Sequence, residues 1–257
     1  MPKANLIVGL DIGTSTIKIL IAERKDKEQN FEVISQTQEP SFGVRRGVVV
    51  DPEKVSRIIQ ILLNRIKTET GHKINSVCVN IGGAHICSTS SKGMVAVSRA
   101  DRNISKEDVE RVLEEAAKSL FLPSNNEILE TSPKEFIVDG VGDIKAVEGL
   151  QGGRLETEIL VLSNFIPFKN NLTQAVLDSG LQISDIIPSP LASSLAVLSE
   201  RQKELGVALL DIGAGTSSLA VFEEGDLIHL TVFPIGSGNI TQDIAVGLKT
   251  DIDVAER

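Results

Sequence analysis

Leu10-Asp11-Ile12-Gly13 recurs as Leu210-Asp211-Ile212-Gly213, and the same fixed offset carries Thr16 onto Thr216. Each copy follows an apolar run (Leu6 to Leu10; Val207 to Leu210) and precedes another (Ile17 to Ala22; Leu219 to Phe222). The pattern reads as strand, Asp-x-Gly turn, strand, twice over. A repeat this widely spaced is no solenoid. It predicts two related halves facing each other across a cleft.

The chemistry of the pair follows from its residue types. Gly13 and Gly213 can adopt positive φ cheaply, which predicts tight hairpins there. Glycine also lets backbone approach a ligand, and successive turn amides form an anion-binding nest. The first turn, Gly13-Thr14-Ser15-Thr16, adds hydroxyl donors, whereas Gly213-Ala214-Gly215-Thr216 is more open. Asp11 and Asp211 each end a strand at the turn. Two carboxylates in one cleft repel unless a cation lies between them, and Mg²⁺ with its waters suits that place. The reading is a nucleoside triphosphate held between two lobes, with two aspartates facing the metal.

The 257 residues allow one large domain or two lobes, and 41% hydrophobic with 24% charged residues is ordinary globular composition. A formal charge of -9 argues against a general nucleic-acid binder. Absent Trp and Tyr leave no aromatic platform for stacked bases. Cys78 and Cys87 lack metal-site spacing and read as buried, reduced thiols. Met1 to Asn5 leaves no room for a signal peptide before the first strand, and no apolar run approaches the ~20 residues of a membrane span.

Along the chain, strands are expected at Leu6 to Leu10, Thr16 to Ala22 and Phe31 to Glu39, with a polar connection over Glu23 to Asn30. Asp51 and Pro52 open a helix whose stripe is Val55, Ile58, Ile59, Leu62, Leu63 and Ile66, stopped by Gly71. Ser76 to Ile81 is a strand, broken by Gly82-Gly83. From Ala84 to about Glu158 the pattern shifts to short β segments (His85 to Ser88, Met94 to Ser98, Ile128 to Thr131, Glu135 to Val138) around one helix, Ser105 to Phe121. This predicts a small inserted α+β module. Leu155 to Leu162 reads as a strand returning to the first lobe. A helix at Asn171 to Ser179, a strand at Ile183 to Ile187 and a small-residue helix at Pro190 to Leu198 follow. The second hairpin then gains a third strand at Leu227 to Phe233. Gly236-Ser237-Gly238 feeds a helix Ile240 to Leu248 capped by Asn239, a second anion-friendly spot.

These hairpins resemble those of the actin, hexokinase and DnaK-type ATPase superfamily. Within it the chain is similar to the bacterial FtsA cell-division family over essentially its whole length. The resemblance rests on Gly9 to Thr14, Gly43 to Asp51, Val95 to Arg99, Glu107 to Arg111, Phe136 to Gly140, Pro190 to Ser194, Leu209 to Gly213 and Asp243 to Leu248. It implies an α/β actin-like ATPase fold, with duplicated ribonuclease-H-like lobes and an inserted α+β subdomain. The first lobe would be 1–83 and 159–200, the insert 84–158, and 201–257 the start of an incomplete second lobe. It further implies ATP and Mg²⁺ between the lobes, filament formation by self-association, and linkage of the tubulin-like FtsZ ring to the cytoplasmic membrane. Other division proteins would be contacted through 84–158. Enzymatic activity would be at most a slow ATPase, with no catalytic residue assigned.

Residue by residue, the resemblance makes Asp11 and Asp211 metal-associated. It assigns Gly13, Thr14, Ser15, Gly213, Ala214, Gly215 and Thr216 to the phosphate hairpins, Gly236 and Ser237 to the glycine turn near sugar and phosphates, and Glu256 to the helix beside the adenosine. Ala214 and Ser237 stand where the family commonly has glycine. The chain ends where the family continues, so most of the FtsZ-binding subdomain and the C-terminal membrane helix are expected to be missing and the second lobe to expose apolar surface. Two alternatives remain: a PilM-like pilus protein, less fitting over Gly43 to Asp51, and a sugar kinase, for which Val79 to His85 offers no catalytic carboxylate.

Overall fold

A computed structural model describes residues 6–25 and 31–257; Met1 to Asn5 and most of the polar connection to Asn30 lie outside them. The first three strands form an antiparallel meander: β1 (Leu6–Ile12), β2 (Thr16–Arg24) and β3 (Phe31–Pro40). A two-residue pair, β4 (Val44–Arg45) and β5 (Val48–Val49), leads to α1 (Pro52–Thr70). Asp51 caps that helix by accepting from the Lys54 N–H at 3.2 Å, and Gly71 ends it in the left-handed region at φ 73°. Its stripe Val55, Ile58, Ile59, Leu62 and Ile66 is buried against Ile17, Ile19 and Ile21 of β2 within one core.

Next come β6 (Ser76–Ile81), β7 (Cys87–Ala96), α2 (Lys106–Ser119), β8 (Asn126–Val138), β9 (Val141–Ile144) and β10 (Arg154–Phe165). Then α3 (Ile166–Asp178), β11 (Gln182–Pro188), α4 (Ser189–Val197) and α5 (Glu200–Leu205) complete the middle of the chain. The last part holds β12 (Val207–Ile212), β13 (Ser217–Glu223), β14 (Asp226–Phe233), α6 (Ser237–Leu248) and α7 (Ile252–Ala255).

Two large sheets result. The first has the order β11-β6-β1-β2-β3, with β6 and β11 parallel to β1. The second runs β12-β13-β14-β7-β10-β8-β9, so the second meander continues into the sheet of the 84–158 stretch through the pair Thr231 and Cys87. Leu155 to Leu162, read as a strand returning to the first lobe, lies within β10, which pairs with β7 and β8 on its two sides and packs into the main core through Leu160 and Leu162.

Several short segments expected between 84 and 158 prove to be two long strands. Gly93 does not break β7, because α2 crosses there: a Cβ on Gly93 would lie 2.6 Å from the Val112 carbonyl oxygen. Pro133 does not break β8, because the ladder to β10 shifts register there and Lys134 is bulged out. The capping box of Ser105 with Asp108 is present, and buried Asp108 also accepts the Ser98 N–H at 3.1 Å. The cysteines are not buried thiols as expected. Cys78 is half-buried and Cys87 exposed, each 3.4 Å from a serine hydroxyl. Leu210, Ile212, Ile240, Val246 and Leu248 leave apolar surface exposed on the second meander and α6, as the sequence predicts.

Candidate functional site

Both hairpins close by the same bond. The Gly13 N–H donates to the Thr16 carbonyl at 3.0 Å, and the Gly213 N–H to the Thr216 carbonyl at 2.9 Å. The expected positive φ is absent from both glycines. The turn needs glycine for space instead, since a Cβ would sit 2.9 Å from the Thr16 oxygen in one copy and 3.2 Å from the Thr216 oxygen in the other. Among the described residues, the next two amides of each turn, at Thr14, Ser15, Ala214 and Gly215, donate to no protein acceptor. Free, consecutive turn amides are the donor set an anion nest requires.

The hairpins face one cleft of about 1180 Å³, whose wall includes Asp11, Gly13, Thr14, Ser15, Asp211, Gly213, Ala214 and Thr216. The tips touch, with the Thr14 side chain packing where a Gly215 Cβ would stand, 2.8 Å away. Gly215 is therefore required by the neighbouring hairpin and sits behind the cleft wall. The Thr14 hydroxyl accepts the Gly47 N–H at 2.8 Å and keeps its own proton to donate.

Asp11 is oriented by Asn80, whose Nδ2 donates to Asp11 Oδ1 at 2.7 Å while its Oδ1 accepts the Ile12 N–H at 2.7 Å. Lys18 Nζ stands 3.5 Å from the other Asp11 oxygen. Asp211 Oδ2 accepts the Ser193 hydroxyl at 2.7 Å. Hard oxygen donors from two hairpins lining one cleft fit a magnesium-like cation. Among the described residues no three His, Cys, Asp or Glu side chains cluster, so such a cation would need water and ligand oxygens to complete its shell.

The glycine turn after β14 behaves differently from expectation. The helix starts at Ser237 with Gly236 as its cap, and Asn239 lies inside it, its Oδ1 accepting the Gly236 N–H at 3.0 Å. The first amides of α6 are taken up by the second hairpin. Ser237 donates to the Gly213 carbonyl at 2.8 Å and Gly238 to the Ala214 carbonyl at 2.9 Å. Gly236 and Ser237 thus brace the second hairpin from behind. Glu256 accepts from the Thr241 hydroxyl on α6, away from the cleft wall.

Behind the first hairpin, His85 has two buried ring nitrogens without a partner and stacks edge-on against Phe168, centroids 5.0 Å apart. Burial lowers its pKa to about 4, so it is neutral at physiological pH. Asn80 and Ser193 escape sequence reasoning. Their signals were a lone amide in the apolar strand Val77-Cys78-Val79-Asn80-Ile81 and a hydroxyl in the small-residue helix.

Two family descriptions match the chain. "SHS2 domain inserted in FTSA" matches residues 83–163, and "Cell division protein FtsA" matches residues 208–257. Cell division protein FtsA of Pseudomonas aeruginosa is 38% identical over 98% of this chain and 59% of its own length. That of Bacillus subtilis is 37% identical over 100% of this chain and 58% of its own. The chain therefore spans a little under three-fifths of these relatives. Among solved structures, the PilM-PilN type IV pilus biogenesis complex aligns with TM-score 0.69 at 18% identity, over 99% of this chain and 69% of that one. EutJ of Carboxydothermus hydrogenoformans aligns with TM-score 0.56 at 16% identity, over 98% of this chain and 60% of that one. At such identities the likeness is one of fold, the actin-like ATPase fold. Sequence relationship across the full chain, together with the two matched segments, places the protein in the FtsA cell-division family.

Proposed function

We propose that this chain is the nucleotide-binding part of an actin-like cell-division protein, holding ATP with Mg²⁺ between its two hairpins. The observation that carries the reading is the pair of identically closed Asp-x-Gly turns on one cleft, with free amides at Thr14, Ser15 and Ala214 along its wall. Thr14, Ser15, Gly213, Ala214 and Thr216 line the phosphate path, with Gly13 giving the first turn its close approach. Asp11 and Asp211 hold the hydrated cation, which neutralises phosphate charge when bound. Gly215, Gly236 and Ser237 act through hairpin shape, and Glu256 through the α6–α7 corner. No carboxylate in the Val79 to His85 stretch stands ready as a base, which favours slow or incidental hydrolysis over sugar phosphorylation.

The lobe boundaries at 1–83 with 159–200, 84–158 and 201–257 belong to this proposal. So do self-association into filaments, contact with other division proteins through 84–158, and linkage of FtsZ to the cytoplasmic face of the membrane. Among the described residues no helix is long and apolar enough to cross a membrane, so that linkage does not run through a spanning helix of this stretch. Equilibrium binding of a fluorescent ATP analogue tests the reading. Binding should be weak, dependent on Mg²⁺, and lost in Asp211→Ala. Binding indifferent to that substitution refutes the metal assignment, and phosphate release that depends on an added sugar refutes the scaffold.

A further inference from the structure

The two hairpins lie in different sheets, so no shared hydrogen-bond ladder sets the distance between Asp11 and Asp211. One element touches the network of both. The first residue of α4, Ser189, accepts the second Nδ2 proton of Asn80 at 3.0 Å and donates to the Ile81 carbonyl at 3.0 Å. Asn80 in turn holds Asp11. One turn further on, Ser193 donates to Asp211. Residues four apart lie on the same helix face, about 6 Å along the axis. Within α4, buried Ser194 donates its hydroxyl back to the Leu191 carbonyl at 2.7 Å, a bond internal to the helix.

We infer that α4 is the spacer that sets the separation of the two cleft carboxylates, with Ser193 and Asn80 as positioning residues for a divalent cation bridging them. This rests on the nucleotide-and-metal reading above. Each contact occupies one oxygen of its aspartate. The remaining oxygens, Asp11 Oδ2 and Asp211 Oδ1, are left to the cation and its waters. Lys18, at 3.5 Å from Asp11 Oδ2, is the one cation beside Asp11 among the described residues, and a cation held at that oxygen would take its place.

The test is a Mg²⁺ titration of the full chain with a fluorescent ATP analogue, run alongside titrations in excess chelator. Ser193→Ala favours the helix, so folding is not at stake, and a thermal melt checks it. The expected result is about a tenfold weaker apparent Mg²⁺ affinity, the worth of one hydrogen bond to a charged group. Ser193→Thr, which keeps the hydroxyl, should retain the wild-type Mg²⁺ affinity. Wild-type Mg²⁺ affinity in Ser193→Ala, with Asp211→Ala still abolishing Mg²⁺-dependent binding, overturns the spacer and leaves the nucleotide site standing. Equal losses in Ser193→Ala and Ser193→Thr also overturn it. Wild-type binding without any metal dependence overturns both.

Discussion

Gly236→Ala isolates the coupling between α6 and the second hairpin. A Cβ at Gly236 would stand 2.6 Å from the Ala214 carbonyl carbon and 2.7 Å from its oxygen, both backbone atoms that cannot rotate aside. Relief requires moving the turn away from α6, which breaks the bonds from Ser237 to Gly213 and from Gly238 to Ala214. Overpacking of this kind costs about 1–3 kcal/mol. Two backbone hydrogen bonds add about 1 kcal/mol each. The total of about 3–5 kcal/mol lowers the melting midpoint by roughly 6–15 °C in a chain of this size. Gly247→Ala is the control: it lies in the same helix, with nothing within 4 Å of the added methyl. That change should raise the midpoint by a few degrees, gaining up to about 1 kcal/mol of helix propensity. Circular dichroism melts of the two variants give the comparison. A Gly236→Ala protein that melts with the wild type refutes the reasoning, because it means α6 and the hairpin do not share this contact.

Other outcomes are equally specific. His85 has a folded pKa of about 4 against 6.5 in the unfolded chain, so between those values only the unfolded chain holds the proton. Stability is full above pH 6.5 and falls as pH drops toward 4, by about 1–2 kcal/mol once partial exposure is allowed for. His85→Leu should flatten that slope in urea melts recorded across the window. Gly93→Val forces α2 off β7 and should expose α2 amides to fast hydrogen exchange while α1 stays protected. Asp108→Ala removes the reciprocal cap of α2 and strands the Ser98 and Ser105 amides, costing about 3 kcal/mol by chemical denaturation.

The hairpins were legible because a strand, an acidic turn and a second strand each leave a local mark, and the marks repeat. Helix α1 was legible to its caps, since Asp51, the apolar stripe and Gly71 all act within the helix itself. What escaped depends on contacts remote in sequence. Gly93 and Pro133 look like strand breaks until α2 crosses one and a bulge absorbs the other. Strand β10 has alternating burial at its start and continuous burial later, and nothing in that pattern names the sheet it joins. Gly13 and Gly213 were rightly glycine for the wrong reason, because crowding by a carbonyl leaves no trace in sequence that differs from a need for positive φ. Asn80 and Ser193 are ordinary residues whose role appears only when β1, β6, α4 and β12 meet.

The most direct test of the shared-cation account replaces Mg²⁺ with Mn²⁺ and counts bound metal by electron paramagnetic resonance, with and without ATP. The account predicts one ATP-dependent Mn²⁺ per chain, lost in Asp11→Ala and lost again in Asp211→Ala. Retention of the bound Mn²⁺ in either variant contradicts it.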